Sequence, residues 1–375
     1  MSTALHAAAH ADVSSAFPLV RTAHPVSEIE RAAVLAAPGF GQYFTDHMAS
    51  AVWTPEAGWH DRGVSALKPF SLHPGAAVLH YAQEIFEGLK AYRHADGSVW
   101  LFRPEVNARR FARSARRMGL PPLPEEDFLA SVEALVRADE AWVPVSTGEE
   151  SLYLRPFMFA AEISLGMRPS RSVQYCAIAS PAQPFFGSVM RGLTLWVSTS
   201  YTRAARGGTG AAKCGGNYGA SLAAQADAQR HGCDQVLYLD GAGEEGCIEE
   251  SGAMNLFLVT SGGELITPAA LGTILEGVTR DTVLALASEF GLKAVERPVT
   301  FAELREGMAE GTVTEVFAAG TAAVLTPVSG IKGEGYELRV GDGTSGERTA
   351  ALRARVLDIQ YGRAEDPYGW MRRVV

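Results

Sequence analysis

The sequence predicts a mixed α/β (α+β) fold in two domains, on three observations. Its 375 residues exceed what one ordinary hydrophobic core organises. Short β-branched and aromatic runs alternate with longer helix-forming stretches in both halves. Between the halves lies Pro181-Ala182-Gln183-Pro184-Phe185-Phe186-Gly187, whose turn residues and aromatics suit a linker that also packs against something. The division that follows is a small N-terminal domain over 1–182, with an Ala/His-rich, frayed start through Ser15, an interdomain loop over 183–192, and a larger C-terminal domain over 193–375.

The elements follow in order. Asp96-Gly97 favours a tight hairpin between Ala91-Tyr92-Arg93 and Ser98-Val99-Trp100-Leu101-Phe102. Pro104 suits the first turn of a helix, expected over Glu105 to Met118, and a second helix is expected from Glu125 to Trp142. Strands are read at Ser151 to Phe159 and Val173 to Ala179. The second half reads as strand Leu193 to Thr199, a glycine-rich loop around Lys213, helix Tyr218 to His231, strand Asp234 to Leu239, a turn at Asp240-Gly241 and strand Met254 to Thr260. Helices at Thr279 to Phe290, Phe301 to Glu306 and Ala350 to Tyr361 complete it. No repeat of solenoid or propeller period is visible.

Bulk properties exclude several classes of function. A hydrophobic content of 47% with 20% charged residues belongs to a folded globular chain. A net charge of −9 argues against a nucleic-acid partner, and the basic run Arg109 to Arg117 spreads its charges around several helix faces. Cys176, Cys214, Cys233 and Cys247 show no metal-ligand spacing and read as reduced thiols, and His47, His60, His73 and His80 have no ligand spacing, so no metal is expected. No basic-then-apolar leader and no apolar run of membrane length is seen, so a cytoplasmic protein without a membrane partner is expected.

Two motifs match only by spelling. Gly241-Ala242-Gly243-Glu244-Glu245-Gly246 imitates a dinucleotide fingerprint, but its acids would face the pyrophosphate and no convincing helix follows, so a hairpin tip is the better reading. The run Gly207 to Cys214 ends without the Gly-Lys-Ser/Thr of a phosphate loop. Neither a Gly-x-Ser-x-Gly elbow nor a His-Glu-x-x-His helix occurs.

The chemistry gathers around Lys213 in Ala211-Ala212-Lys213-Cys214-Gly215-Gly216-Asn217-Tyr218. Small neighbours let this amine reach a carbonyl, and the glycines let backbone pass close to a flat ligand. A Schiff-base lysine for pyridoxal 5'-phosphate needs an acid at the pyridine nitrogen, a donor at the phenolate and a cationic or amide-rich phosphate cup. Glu250, Tyr218, the helix start Gly277-Val278-Thr279-Arg280, Thr321 beside Gly320, and Arg110 offer all three.

Phe86-Glu87-Gly88-Leu89-Lys90-Ala91-Tyr92, Leu101-Phe102-Arg103-Pro104, Tyr153-Leu154-Arg155-Pro156, Lys213 to Tyr218, Glu250 to Phe257, Gly277 to Arg280 and Phe317 to Ala322 together resemble, in order, branched-chain amino-acid aminotransferases. These are fold-type-IV pyridoxal-phosphate enzymes, and the match runs from about Phe40 to Tyr361. The resemblance implies a ping-pong exchange of an amino group between Leu, Ile or Val and 2-oxoglutarate. It makes Lys213 the catalytic amine, Glu250 the partner of the ring nitrogen and Tyr218 that of the phenolate. Arg110, Val278, Thr279 and Thr321 become the phosphate cup, with Arg203 supporting the cofactor site. Phe40, Phe86 and Phe185 then contact substrate, and Tyr81, Tyr153, Arg155 and Met167 reach in from a partner subunit, so a homodimer or higher homo-oligomer is implied.

Arg155 is the expected counter-charge for the distal carboxylate of glutamate, because a buried unpaired carboxylate is costly. Ala253 stands where animal members often carry threonine, which leaves the substrate carboxylate to backbone amides such as that of Ala322, or to water. Ala323-Val324-Leu325-Thr326 lacks the cysteine pair of mammalian relatives, and no thiol switch is expected. Related readings within the same fold are a D-amino-acid aminotransferase and an aminodeoxychorismate lyase. A noncatalytic ligand-binding protein that keeps only the fold is the reading from another class.

Overall fold

Along Ser151–Ala160, Leu152, Leu154 and Met158 are buried on one face of the strand while Tyr153, Arg155 and Phe157 stand half-buried on the other. That strand sits inside an eight-stranded sheet of order Met371–Arg373, Val99–Phe102, Leu89–Arg93, Ser151–Ala160, Val173–Ala182, His47–Thr54, Gly58–Ala66, with Glu84–Phe86 pairing the far end of Ser151–Ala160. All its pairings are antiparallel. The computed structural model describes residues 16–145, 148–185, 191–241, 243–343 and 346–375, so the start through Ser15 and much of the expected linker lie outside the described residues.

Helices Pro104–Arg117 and Glu125–Ala138 belong to the core of the first sheet, where Phe111 meets Phe128 at 5.3 Å and Tyr175 at 5.8 Å between ring centres. In the basic run Arg109, Arg113, Arg116 and Arg117 are exposed and Arg110 is buried. The second helix stops at Ala138, short of the expected Trp142, because Asp139 turns away to accept from the His47 amide (3.0 Å) and to pair with His47 Nδ1 (2.6 Å). A short 3-10 turn, Glu140–Trp142, finishes the segment.

The second sheet has nine strands, most of which close on themselves. Ile248–Ser251, Gln235–Leu239, Leu193–Ser198, Val324–Gly333, Val313–Gly320 and Met254–Thr260 pair in that order, and the last pairs back to the first. Closure removes the edges that would otherwise be open to another chain. Leu193–Ser198 and Gln235–Leu239 are parallel neighbours, so the chain must cross over between them, and the lysine loop and helix Gly215–Arg230 make that crossing. Glu264–Pro268, Lys293–Arg297 and Tyr336–Arg339 extend the sheet. The C-terminal tail, included in the expected 193–375 unit, returns to the first sheet as Met371–Arg373.

Other departures from the sequence reading have local causes. Helix Gly215–Arg230 starts before Tyr218 because the Glu84 carboxylate, from a distant strand, accepts the Gly215 amide where the N-cap Cys214 offers no side-chain bond. Phe301–Glu310 outlasts the expected Glu306, capped by Thr300 and ended by Gly311. Val278–Leu286 is followed by a 3-10 turn, Ala287–Phe290. Val173–Ala182 takes Pro181 and Ala182 from the expected linker stretch into the sheet. Gly243–Glu245 forms a short turn between antiparallel strands, which places the dinucleotide-like spelling at a hairpin tip; Ala242 lies outside the described residues. No helix among the described residues is long and apolar enough to cross a membrane.

Phe111 fills the centre of the first core. Phe111→Ala is expected to lower unfolding free energy by about 3–5 kcal/mol, the usual cost of emptying a buried aromatic site; denaturant titration with a loss under about 1 kcal/mol would remove it from that role.

Candidate active site

Lys213 is fixed through its main chain. Its amide donates to Ser114 Oγ at 3.0 Å and its carbonyl accepts the Phe86 amide at 3.0 Å, clamping the loop between helix Pro104–Arg117 and strand Glu84–Phe86. Buried Asn217 donates to the Thr209 and Ala212 carbonyls, and Arg117 donates to those of Gly207 and Gly208. The side chain then extends along a held backbone. Its Nζ reaches Tyr218 Oη at 2.6 Å and lies 4.8 Å from the Phe86 ring centre.

Glu250 lies at one end of the same cleft, 1% exposed. Arg203 Nε meets its carboxylate at 2.8 Å and the Leu275 amide donates to it at 2.6 Å. Burial pushes the Glu250 carboxyl above the usual carboxylate range, while the Arg203 guanidinium and the Leu275 hydrogen bond pull it back toward the ionised form. Asn255 donates to the Leu275 carbonyl at 2.9 Å, steadying the residue whose amide holds the acid. Arg203 also donates to the Gly210 carbonyl, which ties the acid to the lysine loop.

At the other end, Arg110 and Glu87 form a fork-to-fork pair, Nε to Oε1 at 2.7 Å and Nη2 to Oε2 at 2.8 Å, both side chains buried. Burial raises the Glu87 carboxyl, but Arg110, Lys213 and the Asn107 amide more than offset it and hold it below its ordinary range. Arg110 Nη1 donates to the Glu276 carbonyl at 3.0 Å, just before the helix Val278–Leu286. The guanidinium therefore arrives at the cleft already paired. Val278, Thr279 and Thr321 line the cleft beside it. The amides that open a helix lack partners within it, so this end is an anion site by construction.

The mouth is aromatic. Phe40 meets Tyr153 and Phe185 edge-on, each at 5.0 Å between ring centres, and the Gly39 carbonyl accepts the Gln183 amide, which holds these segments together. The Arg155 guanidinium lies 4.8 Å over the Phe86 ring and 5.3 Å over Tyr153, and donates to Tyr153 Oη at 3.2 Å. Gly88 makes this possible, since a Cβ there would collide with the Tyr153 hydroxyl. Ala322 lines the wall opposite these aromatics' strand, in the hairpin turn after Gly320.

One group of expectations is corrected. Tyr153 and Arg155, expected from a second subunit, line the cleft of their own chain, because Glu84–Phe86 pairs with Ser151–Ala160 and brings that strand's half-buried face to the lysine. Tyr81 and Met167, whose expected place was a partner's cleft, do not line the cleft of their own chain. Tyr81 Oη donates to the Leu165 carbonyl at 2.5 Å, and Met167 is 87% exposed.

Sequence reasoning named no role for Glu87, Asn255, Ser114, Asn217 or Glu84. A signal existed for Glu87, since a carboxylate inside the apolar run Ile85 to Leu89 must find a partner. Ser114, Glu84 and Asn255 act through pairings between distant segments, which spacing does not reveal, and Asn217 ties its own loop at Thr209 and Ala212.

An acid paired at one end, an amine beside a phenol in the middle, and an arginine with a helix start at the other make the donor set that a flat, phosphorylated pyridine aldehyde requires. The residues present fit that group. A family model described as amino-transferase class IV matches residues 84–331. The chain is 53% identical over 350 residues to a probable branched-chain-amino-acid aminotransferase of Streptomyces coelicolor, covering 93% of this chain and 96% of that one. The crystal structure of an Escherichia coli branched-chain amino acid aminotransferase superposes with a TM-score of 0.71 at 28% identity, covering 87% of this chain and 100% of that one. A T.th. branched-chain amino acid aminotransferase complexed with N-(5'-phosphopyridoxyl)-L-glutamate does so at 0.68 and 29%, covering 87% and 99%. By sequence and by fold, then, this chain belongs to the class IV aminotransferases, as a pyridoxal-phosphate-dependent branched-chain-amino-acid aminotransferase.

Proposed function

We propose that Lys213 is the amine that carries the cofactor and moves the proton in a ping-pong exchange between Leu, Ile or Val and 2-oxoglutarate. The observation that carries this is the 2.6 Å contact of Lys213 Nζ with Tyr218 Oη, in a cleft with Glu250 at one end and a helix start at the other. When bound, the cofactor supplies an electron-accepting ring that stabilises charge at the substrate's α-carbon. Glu250, drawn toward its ionised form by Arg203, would favour a proton on the ring nitrogen. Tyr218 would donate to the phenolate, and the Val278 and Thr279 amides, Thr321 and the paired Arg110 would hold the phosphate. The free amine of Lys213 would take up and move the proton of the substrate's α-carbon.

Phe40, Phe86, Tyr153 and Phe185 receive the aliphatic side chain and keep water from it. Arg155 serves the other half-reaction. Its guanidinium lines the cleft beside Phe86 and Tyr153, where it would offer a positive charge to the distal carboxylate of 2-oxoglutarate.

The second copy belongs on the surface formed by residues 67–81 and 161–167. Leu72, Leu79, Tyr81, Ile163, Leu165 and Met167 are all exposed there, and a bridge from Ala76 to Ile163 joins the two segments into one patch. A patch of this kind marks an interface more often than a solvated face. From it Tyr81 and Met167 reach toward the partner's cleft. Free thiols at Cys176, Cys214, Cys233 and Cys247 fit the reducing cytoplasm.

Lys213→Ala is expected to abolish both half-reactions while the cofactor still binds noncovalently. Borohydride reduction should then leave no label on the variant; turnover near the parent's would defeat the role of Lys213. For Arg155→Leu, kcat/KM for 2-oxoglutarate should fall about 100-fold or more while that for 4-methyl-2-oxopentanoate changes little, since an unmatched buried charge costs several kcal/mol. Equal losses for both acceptors would mean that Arg155 does not read the distal carboxylate. Leu165→Asp with Met167→Asp should convert a sedimenting dimer to monomer and lower activity, and a parent protein that sediments as a monomer would sink the interface.

A further inference from the structure

Lys90 lies outside the chemistry described so far. It stands on Leu89–Arg93 in the first sheet, is 6% exposed, and its Nζ donates to the Ala322 carbonyl at 3.2 Å, across to the hairpin of the second sheet. A buried ammonium needs a counter-charge. Glu149 provides it while also pairing with Arg353 at 2.6 and 2.7 Å, and Arg353 Nε donates to the Leu325 carbonyl at 2.9 Å. Burial lowers the Lys90 ammonium to about 8, with Glu149 pulling it up and Arg353 pushing it down. Two cations, Arg353 paired with Glu149 and Lys90 within that carboxylate's field, thus hold the turn at Leu325 and at Ala322. Between them Val324 has φ +58°, a left-handed conformation that a β-branched residue adopts only when its surroundings impose it.

Thr321, Ala322 and Ala323 line the catalytic cleft and Lys90 does not, so the lysine holds the turn from behind. In a planar trans peptide the carbonyl of one residue and the N–H of the next point in opposite directions. With the Ala322 carbonyl drawn back to Lys90, the Ala323 N–H faces forward.

We propose that Lys90 is a positioning residue that fixes the Ala322–Ala323 peptide plane so that the Ala323 amide meets the α-carboxylate common to every substrate of this enzyme. The inference rests on the aminotransferase reading of the cleft. It also answers the absence of a hydroxyl at Ala253, because recognition of the carboxylate then comes from main chain held by a remote lysine.

The test uses holoenzyme and two probes. 4-Methylpentanoate has the carboxylate and no amine; 3-methylbutylamine is leucine without its carboxylate. Lys90→Met should weaken 4-methylpentanoate binding, measured by calorimetry, by about tenfold or more, the scale of one hydrogen bond to a charged group. It should raise KM for leucine and for 2-oxoglutarate alike more than it lowers kcat, and leave single-turnover reaction with 3-methylbutylamine within about twofold. Lys90→Arg, which keeps a charged donor, should recover most of the loss. Should Lys90→Met not fold, Lys90→Gln, a neutral donor, is expected to lose less than tenfold in the same binding measurement. Unchanged 4-methylpentanoate binding in the variant overturns the proposal, and so does an equal loss with 3-methylbutylamine, which would mean that Lys90 only supports the fold. Failure of the underlying reading looks different: a parent enzyme that binds no 4-methylpentanoate, which overturns the inference along with it.

Discussion

A buried carboxylate held against a buried guanidinium, Glu250 on Arg203, is the constraint from which the cleft is built. Neither charge is tolerable alone at that depth, and removing one partner of such a pair costs about 3–5 kcal/mol. Arg203 is anchored in turn by the Gly210 and Thr273 carbonyls, so one guanidinium ties together the lysine loop, the acid's strand and the segment that supplies the Leu275 amide. Arg110 and Glu87 repeat the arrangement at the other end, with Asn107 and the Glu276 carbonyl as its extra contacts. Both ends are electrically settled before any ligand arrives. What remains available is the Lys213 amine and the open amides of the helix Val278–Leu286, which are the groups that a phosphorylated aldehyde needs.

The two sheets meet where the chemistry is. Lys213 sits on the crossover of the second sheet, yet its backbone is clamped by Ser114 and Phe86, which belong to the first half of the chain. Lys90 bridges in the opposite direction, from the first sheet to the second sheet's hairpin, and Arg103 reaches Asp281 and Thr282 beside the helix start. A cleft at such a seam draws rigid walls from both cores, and neither core alone can complete it. The tail strand Met371–Arg373, pairing back onto Val99–Phe102, adds a further tie across the same seam.

What could be read from the residues beforehand follows the range of the forces involved. The helices that pack on the first sheet, the ring strands Leu193–Ser198, Gln235–Leu239 and Met254–Thr260 and the hairpin tip at Gly241 to Gly246 carry local signals, periodicity and turn chemistry, and lie within a few residues of their expected positions, whereas the ring strands Ile248–Ser251, Val313–Gly320 and Val324–Gly333 were not expected. Ends set by distant side chains were not legible: Glu84 starts the helix at Gly215, and His47 ends one at Ala138 by taking Asp139. Candidate site residues show the same divide. Lys213, Tyr218 and Glu250 stand out through local motif and resemblance, whereas Asn255 declares itself only once its partner is seen. Which subunit's cleft Tyr153 and Arg155 serve is a matter of strand pairing, and no spacing along the chain contains it.

The proposed exchange asks one wall to accept a bare hydrocarbon in one half-reaction and a carboxylate in the other. A lysine at position 155 would serve the second task and harm the first, because a compact ammonium is strongly hydrated and gives up its water reluctantly. A guanidinium beside the faces of Phe86 and Tyr153 is a different object. Its faces are weakly hydrated and its charge is directed through the N–H groups at its edge, so an aliphatic chain packing against the plane displaces little bound water. In the proposed second half-reaction a carboxylate would meet the charge at that edge. The Gly88 position keeps this geometry, since only a residue without a Cβ leaves the Tyr153 hydroxyl room to stand there and accept from Arg155. Dual specificity in this wall therefore needs no moving part: the same cation presents an apolar face to one substrate and an ionic edge to the other.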